Sequence, residues 1–398
     1  MEKVYADKSH CCGCGICSFV CPKHAISMQP DDLGFIYPVI HPEHCIDCRA
    51  CTAVCAFGKN RHGTASVCYA AATTKETERM HSASGGVFSA IAGAFSKDGL
   101  ICGAAMEFRK GTSLTRHMLD SGFRKFQSSK YVHSHLWPCL QDVENALRNG
   151  EKVLFSGTPC QVDAVKSVFH NYLGKQLFTI DIICHGVPSQ QFFNDFLSLY
   201  QKTHKTELVQ FDFRSKKHGW GLNGTATGAQ GEERKVTPQT SSYYRYFLDG
   251  EIYRENCYQC PYACLQRVGD LTIGDYWGIE KQDPQLLDTN GGCFSKETGI
   301  SCLFVNNDNG RYLLEQYGSR LILRPVDLRH VTIANTQLRE PARYSRQRDA
   351  ILNSYRKTGY SGVEAIFKKQ MLYRSMKQLL KKAIPKSAWN TLKQFLKH

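Results

Sequence analysis

Short apolar runs bounded by turn residues recur along the chain, and segments of helical period lie between them. Gly34-Phe35-Ile36-Tyr37-Pro38-Val39-Ile40 predicts a strand that closes in a turn at His41-Pro42. Ser82-Ala83-Ser84-Gly85-Gly86 predicts a loop, with a helix starting at Val87. Ile101 to Met106 predicts a strand, as does Lys152 to Gly157, followed by a helix near Gln161. Phe178 to Cys184 predicts a buried strand ending in the turn His185-Gly186-Val187-Pro188, and a helix follows from about Gln191 to Gln201. Strand and helix alternating at this spacing predict a parallel α/β core. Sites in such sheets lie at the carboxyl ends of strands, where Thr158-Pro159-Cys160 and Cys184-His185 fall. Gly269 to Gly278 predicts one more short strand between glycine turns.

Near the end the pattern changes. From Phe367 to Ile384 an apolar stripe at Leu372, Met376, Leu379 and Ala383 has helical spacing and is flanked by lysines. Pro385 breaks it, and Trp389, Leu392, Phe395 and Leu396 begin a second piece. Of a formal net charge of +14, nine Lys and Arg fall after Ala365, where no Asp or Glu occurs. The excess charge therefore sits on a tail. That fits an anionic membrane surface or an acidic partner, with a helix packed on its own domain as the plainer alternative. No element reads bases, so nucleic acid is not an expected partner.

The chain has 398 residues, enough for two or three domains. Its 19 cysteines point to a reducing interior. Met1 to His10 has no apolar leader segment, and no run reaches a membrane span, so the expected location is cytoplasmic, with peripheral attachment to the inner membrane face through the tail.

Cysteine spacing carries the chemistry. Cys11, Cys14, Cys17 and Cys21 repeat as Cys45, Cys48, Cys51 and Cys55, each with two, two and three intervening residues. This is the bacterial ferredoxin spacing for [4Fe–4S] clusters, in which the fourth cysteine of each run serves the other cluster. The expected sets are Cys11, Cys14, Cys17 and Cys55, and Cys45, Cys48, Cys51 and Cys21. Cys12 is an extra cysteine that can stand in for Cys11. A zinc site would use two separated pairs, and a disulfide framework an oxidising compartment. Cys257, Cys260 and Cys264 can supply three ligands of a further cluster, with a fourth from Cys160 or Cys184, and Cys293 or Cys302 in reserve. A zinc knuckle is the alternative. Cys68, Cys102 and Cys139 are expected to be core residues.

Four later motifs come in a fixed order: G-T-P-C-Q from Gly157, C-H-G-V-P-S from Cys184, C-Y-Q-C-P-Y-A-C from Cys257, and G-D-Y-W-G from Gly274. Together they resemble the beta-subunit family of the deazaflavin (coenzyme F420) hydrogenases and dehydrogenases, over residues 1 to about 335. The resemblance implies an α+β chain: an N-terminal bacterial-type two-cluster ferredoxin module, then an α/β core binding flavin and a cluster. The expected divisions are 1–62, 63–150, 151–355 and a basic tail, 356–398. It further implies FAD, [4Fe–4S] clusters and electron transfer between a two-electron carrier and iron–sulfur centres. The alternatives are a ferredoxin-dependent flavin reductase of an organic substrate, with surface-polysaccharide synthesis as one setting, and an electron-transfer subunit docked to a dehydrogenase.

Flavin-site candidates follow. Ser84, Gly85 and Gly86 precede a helix and can offer N–H groups to phosphate. Lys130 can neutralise phosphate or reduced flavin, or be a solvated lysine. Thr158 and Asp275 lie in glycine turns of the family motifs, and Asp275 alternatively satisfies turn amides. His185 can relay a proton or cap its turn. Arg214, Lys216, Lys217 and His218 form a basic run that fits an anionic substrate or a solvated loop.

Overall fold

A computed structural model describes residues 3–57, 59, 63–64, 67–217 and 219–383. The N-terminal segment is built around an antiparallel hairpin, Ile26–Pro30 with Ile36–Ile40, and two short helices, Ile16–Phe19 and Ala50–Val54. Each helix holds one cysteine of its run, Cys17 and Cys51. The chain enters both through a left-handed residue, Gly15 at φ 78° and Arg49 at φ 59°. Glycine takes that conformation without strain, and at Gly15 a side chain would also strike Trp137.

The core is one eight-stranded sheet. Its order is Leu321–Pro325, Val67–Thr73, Ser301–Val305, Leu271–Asp275, Leu177–Ile182, Lys152–Gly157, Gly99–Arg109 and Thr112–Asp120. Four adjacent strands, from Leu271–Asp275 to Gly99–Arg109, pair parallel. The flanking strands pair antiparallel. The expected parallel core is therefore found in these central strands, within a sheet that is mixed as a whole. Its edge strand Thr112–Asp120 returns by a tight hairpin at Lys110-Gly111 rather than by a helical crossover, and a hairpin can only make antiparallel neighbours.

The predicted elements otherwise appear where the pattern put them. Helix Val87–Phe95 follows Gly86, helix Pro159–Val168 follows strand Lys152–Gly157, and helix Gln190–His204 follows the turn after Leu177–Ile182. Ile91, Phe95, Phe178, Ile180, Leu271 and Leu303 are buried together against one face of the sheet.

The ferredoxin segment does not stand apart. Leu33, Phe35 and Tyr37 share one apolar cluster with Phe192, Tyr243 and Tyr253 of the core. Ser189 Oγ donates to Leu33 O at 2.7 Å.

The expected boundary at 355/356 cuts helix Arg346–Thr358, which packs on a long helix, Tyr360–Ala383. Tyr360, Val363 and Phe367 of that second helix are buried in the same aromatic cluster, so its first half follows the plainer reading of the tail. From Leu372 onward it turns its apolar residues outward: Leu372, Tyr373, Met376 and Leu379 are all exposed. The expected break at Pro385, the second apolar piece from Trp389 to Leu396, and His218 lie outside the described residues. No helix among the described residues is long and apolar enough to cross a membrane.

Candidate iron–sulfur and flavin site

The two N-terminal cysteine runs cross as their spacing predicts. Cys21, Cys45, Cys48 and Cys51 line one cavity of about 370 Å³ with Ile26 and Ile40. Cys11, Cys14, Cys17 and Cys55 line a second of about 500 Å³, together with Cys12 and Cys160. Burial, with Cys11, Cys55 and Cys51 nearby, pushes the Cys17 thiol up to about 12. Thiols this buried and crowded lose their protons only to a cation, as metal ligation requires. Among the described residues no three or more His, Cys, Asp or Glu side chains converge tightly enough to hold a single ion.

A third group forms where strand ends meet. Cys160 opens helix Pro159–Val168 beyond strand Lys152–Gly157, and Cys184 follows strand Leu177–Ile182. Cys257 and Cys260 come from the 3-10 turn Glu255–Gln259 and its end. Cys184 lies close to Cys160 and Cys260, Cys257 close to Cys184 and Cys160, and Cys260 close to Cys257 and Cys160. Burial is the largest influence on Cys184, Cys257 and Cys260 and raises each of these thiols. Both candidate fourth ligands thus join the group. Cys264, expected as the third member of its own run, does not: its sulfur turns to the carbonyls of Pro261 and Gln266, at 3.5 and 3.2 Å. The short strand Gln266–Arg267 follows two residues on.

Cys12 lies between the groups. It is buried, and its thiol contacts both Cys14 and Cys160. Cys11 sits with Cys17 and Cys55, so Cys12 is an additional thiol rather than a substitute. Cys68, Cys102, Cys139 and Cys302 are buried core residues, and Cys293 is exposed.

Beside the third group, at the carboxyl ends of Leu177–Ile182 and Leu271–Asp275, lies a polar centre. Asp275 accepts from Arg214 Nη1 at 2.7 Å, Arg214 Nη2 at 3.0 Å and Trp220 Nε1 at 3.1 Å. It thus holds a guanidinium and an indole rather than turn amides. Trp220 and Trp277 stack at 4.7 Å, nearly parallel. Arg214 Nη2 also reaches Ala83 O at 3.0 Å. Lys216 Nζ donates to Arg79 O at 2.6 Å and to Ser84 O. Burial lowers the Lys216 ammonium to about 7, with the Arg214 charge next. Arg214 and Lys216 are therefore buried members of the centre, not a solvated loop, while Lys217 is exposed and pairs with Glu233. His185 lies near Asp275 and Arg214, and burial lowers its pKa.

The loop at 82–86 is more occupied than its sequence suggests. Ser84 Oγ donates to Ile300 O at 2.8 Å, and Gly85 N–H donates to Ser301 Oγ at 2.9 Å. A side chain at Gly85 would collide with Ala71 O, and Gly86, at φ 84°, starts the helix. Lys130 Nζ donates to Gln127 O at 2.6 Å, and burial lowers it to about 7. Thr158 Oγ1 bonds Gln161 Oε1 at 2.9 Å and touches Cys160 Sγ at 3.2 Å, so it stands by the third thiol group. Sequence reasoning missed Arg79, Trp220 and Arg254. The only signal for them was a basic or aromatic residue next to a recognised motif.

Two family models match the two parts of this arrangement. Residues 10–59 match that of a 4Fe-4S dicluster domain. Residues 150–328 match that of the C terminus of the coenzyme F420 hydrogenase/dehydrogenase beta chain. All four cysteines of the third group, Cys160, Cys184, Cys257 and Cys260, fall within this match. A chain of the F420-reducing [NiFe] hydrogenase complex from Methanosarcina barkeri is similar at 13% identity and a TM-score of 0.45, covering 74% of this chain and 93% of its own. No curated protein matches. The chain is an iron–sulfur, oxidoreductase-type electron-transfer protein with a ferredoxin domain in front of a core that matches the F420 hydrogenase/dehydrogenase beta-subunit model over residues 150–328.

Proposed function

We propose that this chain is an iron–sulfur flavoprotein oxidoreductase that passes electrons between a two-electron carrier of the deazaflavin kind and one-electron centres. The carrying observation is that three four-thiol groups stand in series. Cys160 of the third group touches Cys12, Cys12 touches Cys14 of the second, and Cys17 of the second lies near Cys51 of the first. Each group would hold one [4Fe–4S] cluster, with Cys160, Cys184, Cys257 and Cys260 as the core ligands.

FAD fits the polar centre. Arg79 Nε and Arg214 Nε are buried donors with no partner among the described residues, beside the 82–86 loop. Such donors suit a diphosphate. When bound, FAD supplies the exchange between a hydride equivalent and single electrons. Arg79 and Lys216 would neutralise its phosphates. Lys130 and Lys216, both lowered to about 7, can take up or release a proton near neutral pH. His185, held neutral by burial, can accept one. Asp275 fixes Arg214 and Trp220 and so shapes the wall.

The test is anaerobic reconstitution of the full chain, with iron, sulfide and released adenine measured. The expected content is about twelve irons and twelve sulfides per chain, with one FAD. Reduced deazaflavin should then bleach both chromophores. Bleaching by reduced ferredoxin alone would favour the reductase of an organic substrate. A well-folded preparation that holds only zinc, or no flavin, overturns the reading.

A further inference from the structure

Arg254 belongs to the core, yet its side chain ends inside the ferredoxin segment. It is fully buried, at 0% exposure. Nε donates to Cys11 O at 3.0 Å and Nη2 to Ile36 O at 2.7 Å. The guanidinium lies over the Tyr37 ring at 4.0 Å. It packs so closely on Gly13 that a side chain there would come within 2.9 Å of its carbon and of Nη1. Nη1 itself has no hydrogen-bond partner among the described residues.

Among the described residues no carboxylate pairs with this cation. The adjacent Glu255 is engaged by Arg348 at 3.0 Å. The ionisable groups that face Arg254 include Tyr37, Cys11, Cys12 and Cys257, with Tyr5, Cys160 and His133 beyond. Burial keeps the Tyr37 phenol protonated and His133 uncharged. A guanidinium cannot shed its proton. Buried without an anion it is strongly unfavourable. The groups placed to offset it are therefore the thiols of two sets, Cys11 of one and Cys257 and Cys160 of the other. A [4Fe–4S] centre bound by four thiolates is net negative, and gains one more negative charge on reduction.

We propose that Arg254 is the shared counter-cation of two iron–sulfur centres, one held by Cys11, Cys14, Cys17 and Cys55 and the other by Cys160, Cys184, Cys257 and Cys260, and that it raises the reduction potential of both. This rests on the ligand sets proposed above. Arg254 has no hydrogen bond to Cys21, Cys45, Cys48 or Cys51 among the described residues, and the centre they would hold should shift least. Adding an electron to either favoured centre strengthens its attraction to the fixed positive charge. No proton or further reactant is required.

The experiment is an EPR-monitored redox titration of the anaerobically reconstituted full chain. In Arg254→Gln, two of three midpoint potentials should fall by at least the equivalent of a tenfold change in the reduction equilibrium, about 59 mV for a one-electron couple. The third should shift least. Arg254→Lys keeps the charge but can lose its proton, so its two potentials should start near wild type and fall as pH rises from about 6 to about 9, across the range a buried lysine can titrate. Wild-type values should stay flat over the same range. This second variant decides the matter where Arg254→Gln does not fold. Three potentials that stay put, or move together, in variants of full iron content overturn the inference alone. A wild-type chain with fewer than three centres overturns the ligand sets, and this inference with them.

Discussion

Arg214 and Asp275, 61 residues apart, meet edge to edge through two hydrogen bonds of 2.7 and 3.0 Å. The pair joins the end of strand Leu208–Asp212, which forms a separate three-stranded sheet with Gly224–Gly228 and Glu233–Val236, to the end of a central strand, and almost no solvent reaches the guanidinium. Removing one member leaves an uncompensated buried charge, which costs more than the pair itself contributes. Asp275→Asn should therefore lower the unfolding free energy by about 3 kcal/mol. Arg214→Met combined with it should recover much of that loss. A double-mutant cycle read by denaturant midpoint checks this, and additive single effects would contradict it.

The ligand sets separate cysteines that sequence spacing treats alike. Cys184→Ser and Cys257→Ser should each remove about four irons per chain. Cys264→Ser should remove none, because its sulfur bonds the carbonyls of Pro261 and Gln266. Iron analysis with EPR of the dithionite-reduced proteins decides it. Iron loss in Cys264→Ser would return the ligand role to the original triplet.

His117 should make the fold acid-sensitive. It is buried, stacks on Phe155 at 5.1 Å, bonds Ser156 O through Nε2, and leaves Nδ1 without a partner among the described residues. Burial lowers its pKa to about 4, with the Ser156 carbonyl opposing. The unfolded chain takes up this proton near pH 6.5 and the native chain resists until about 4. Stability is thus present above 6.5 and lost as pH falls through that window. His117→Gln should flatten the decline by about 2 kcal/mol at about pH 5. Thermal unfolding on either side of the window, at about pH 7.5 and about pH 5, measures it. His135, also lowered to about 4, leaves a residual slope in the variant.

The long C-terminal helix divides at Met371. Before it, Tyr360, Val363 and Phe367 are buried, and Tyr246 OH donates to Gln370 Oε1 at 3.1 Å. After it come four exposed apolar residues and, from 372 to 398, seven Lys and Arg with no acid. Each such cation gains about 1 kcal/mol near an anionic leaflet. Deleting 372–398 should abolish co-sedimentation with anionic vesicles at low salt and leave the melting temperature unchanged. Deleting from 360 should lower the melting temperature as well. Equal vesicle binding by the shorter chain would place the basic surface on the body.

The cysteine repeat made the ferredoxin domain legible because ligand spacing there is local: the seven residues from Cys11 to Cys17 carry three ligands, and the crossed fourth follows from the repeat. The core group was only half legible. Cys160 and Cys184 reach Cys257 only when two strands end side by side, and spacing alone could not show that the Cys264 sulfur turns to the carbonyls of Pro261 and Gln266. Arg214 and Lys216 looked solvated because a basic run among polar residues ordinarily is. Their partners, Asp275 and the carbonyls of Arg79 and Ser84, lie 61 or more residues away. The mixed sheet was missed for a related reason: a hairpin at Gly111 and a crossover look alike in short apolar runs.

Cys48 of the first group is exposed, and beside it Ile46 is 59% exposed; the cysteines of the second group are half-buried, and Cys257 of the third is buried. The three thiol groups therefore differ in their shelter from dissolved gas. Oxygen would meet the outermost group first and the one at the strand ends last. Air should bleach the chain in stages, and the outer stage is the one a repair system would need to rebuild most often.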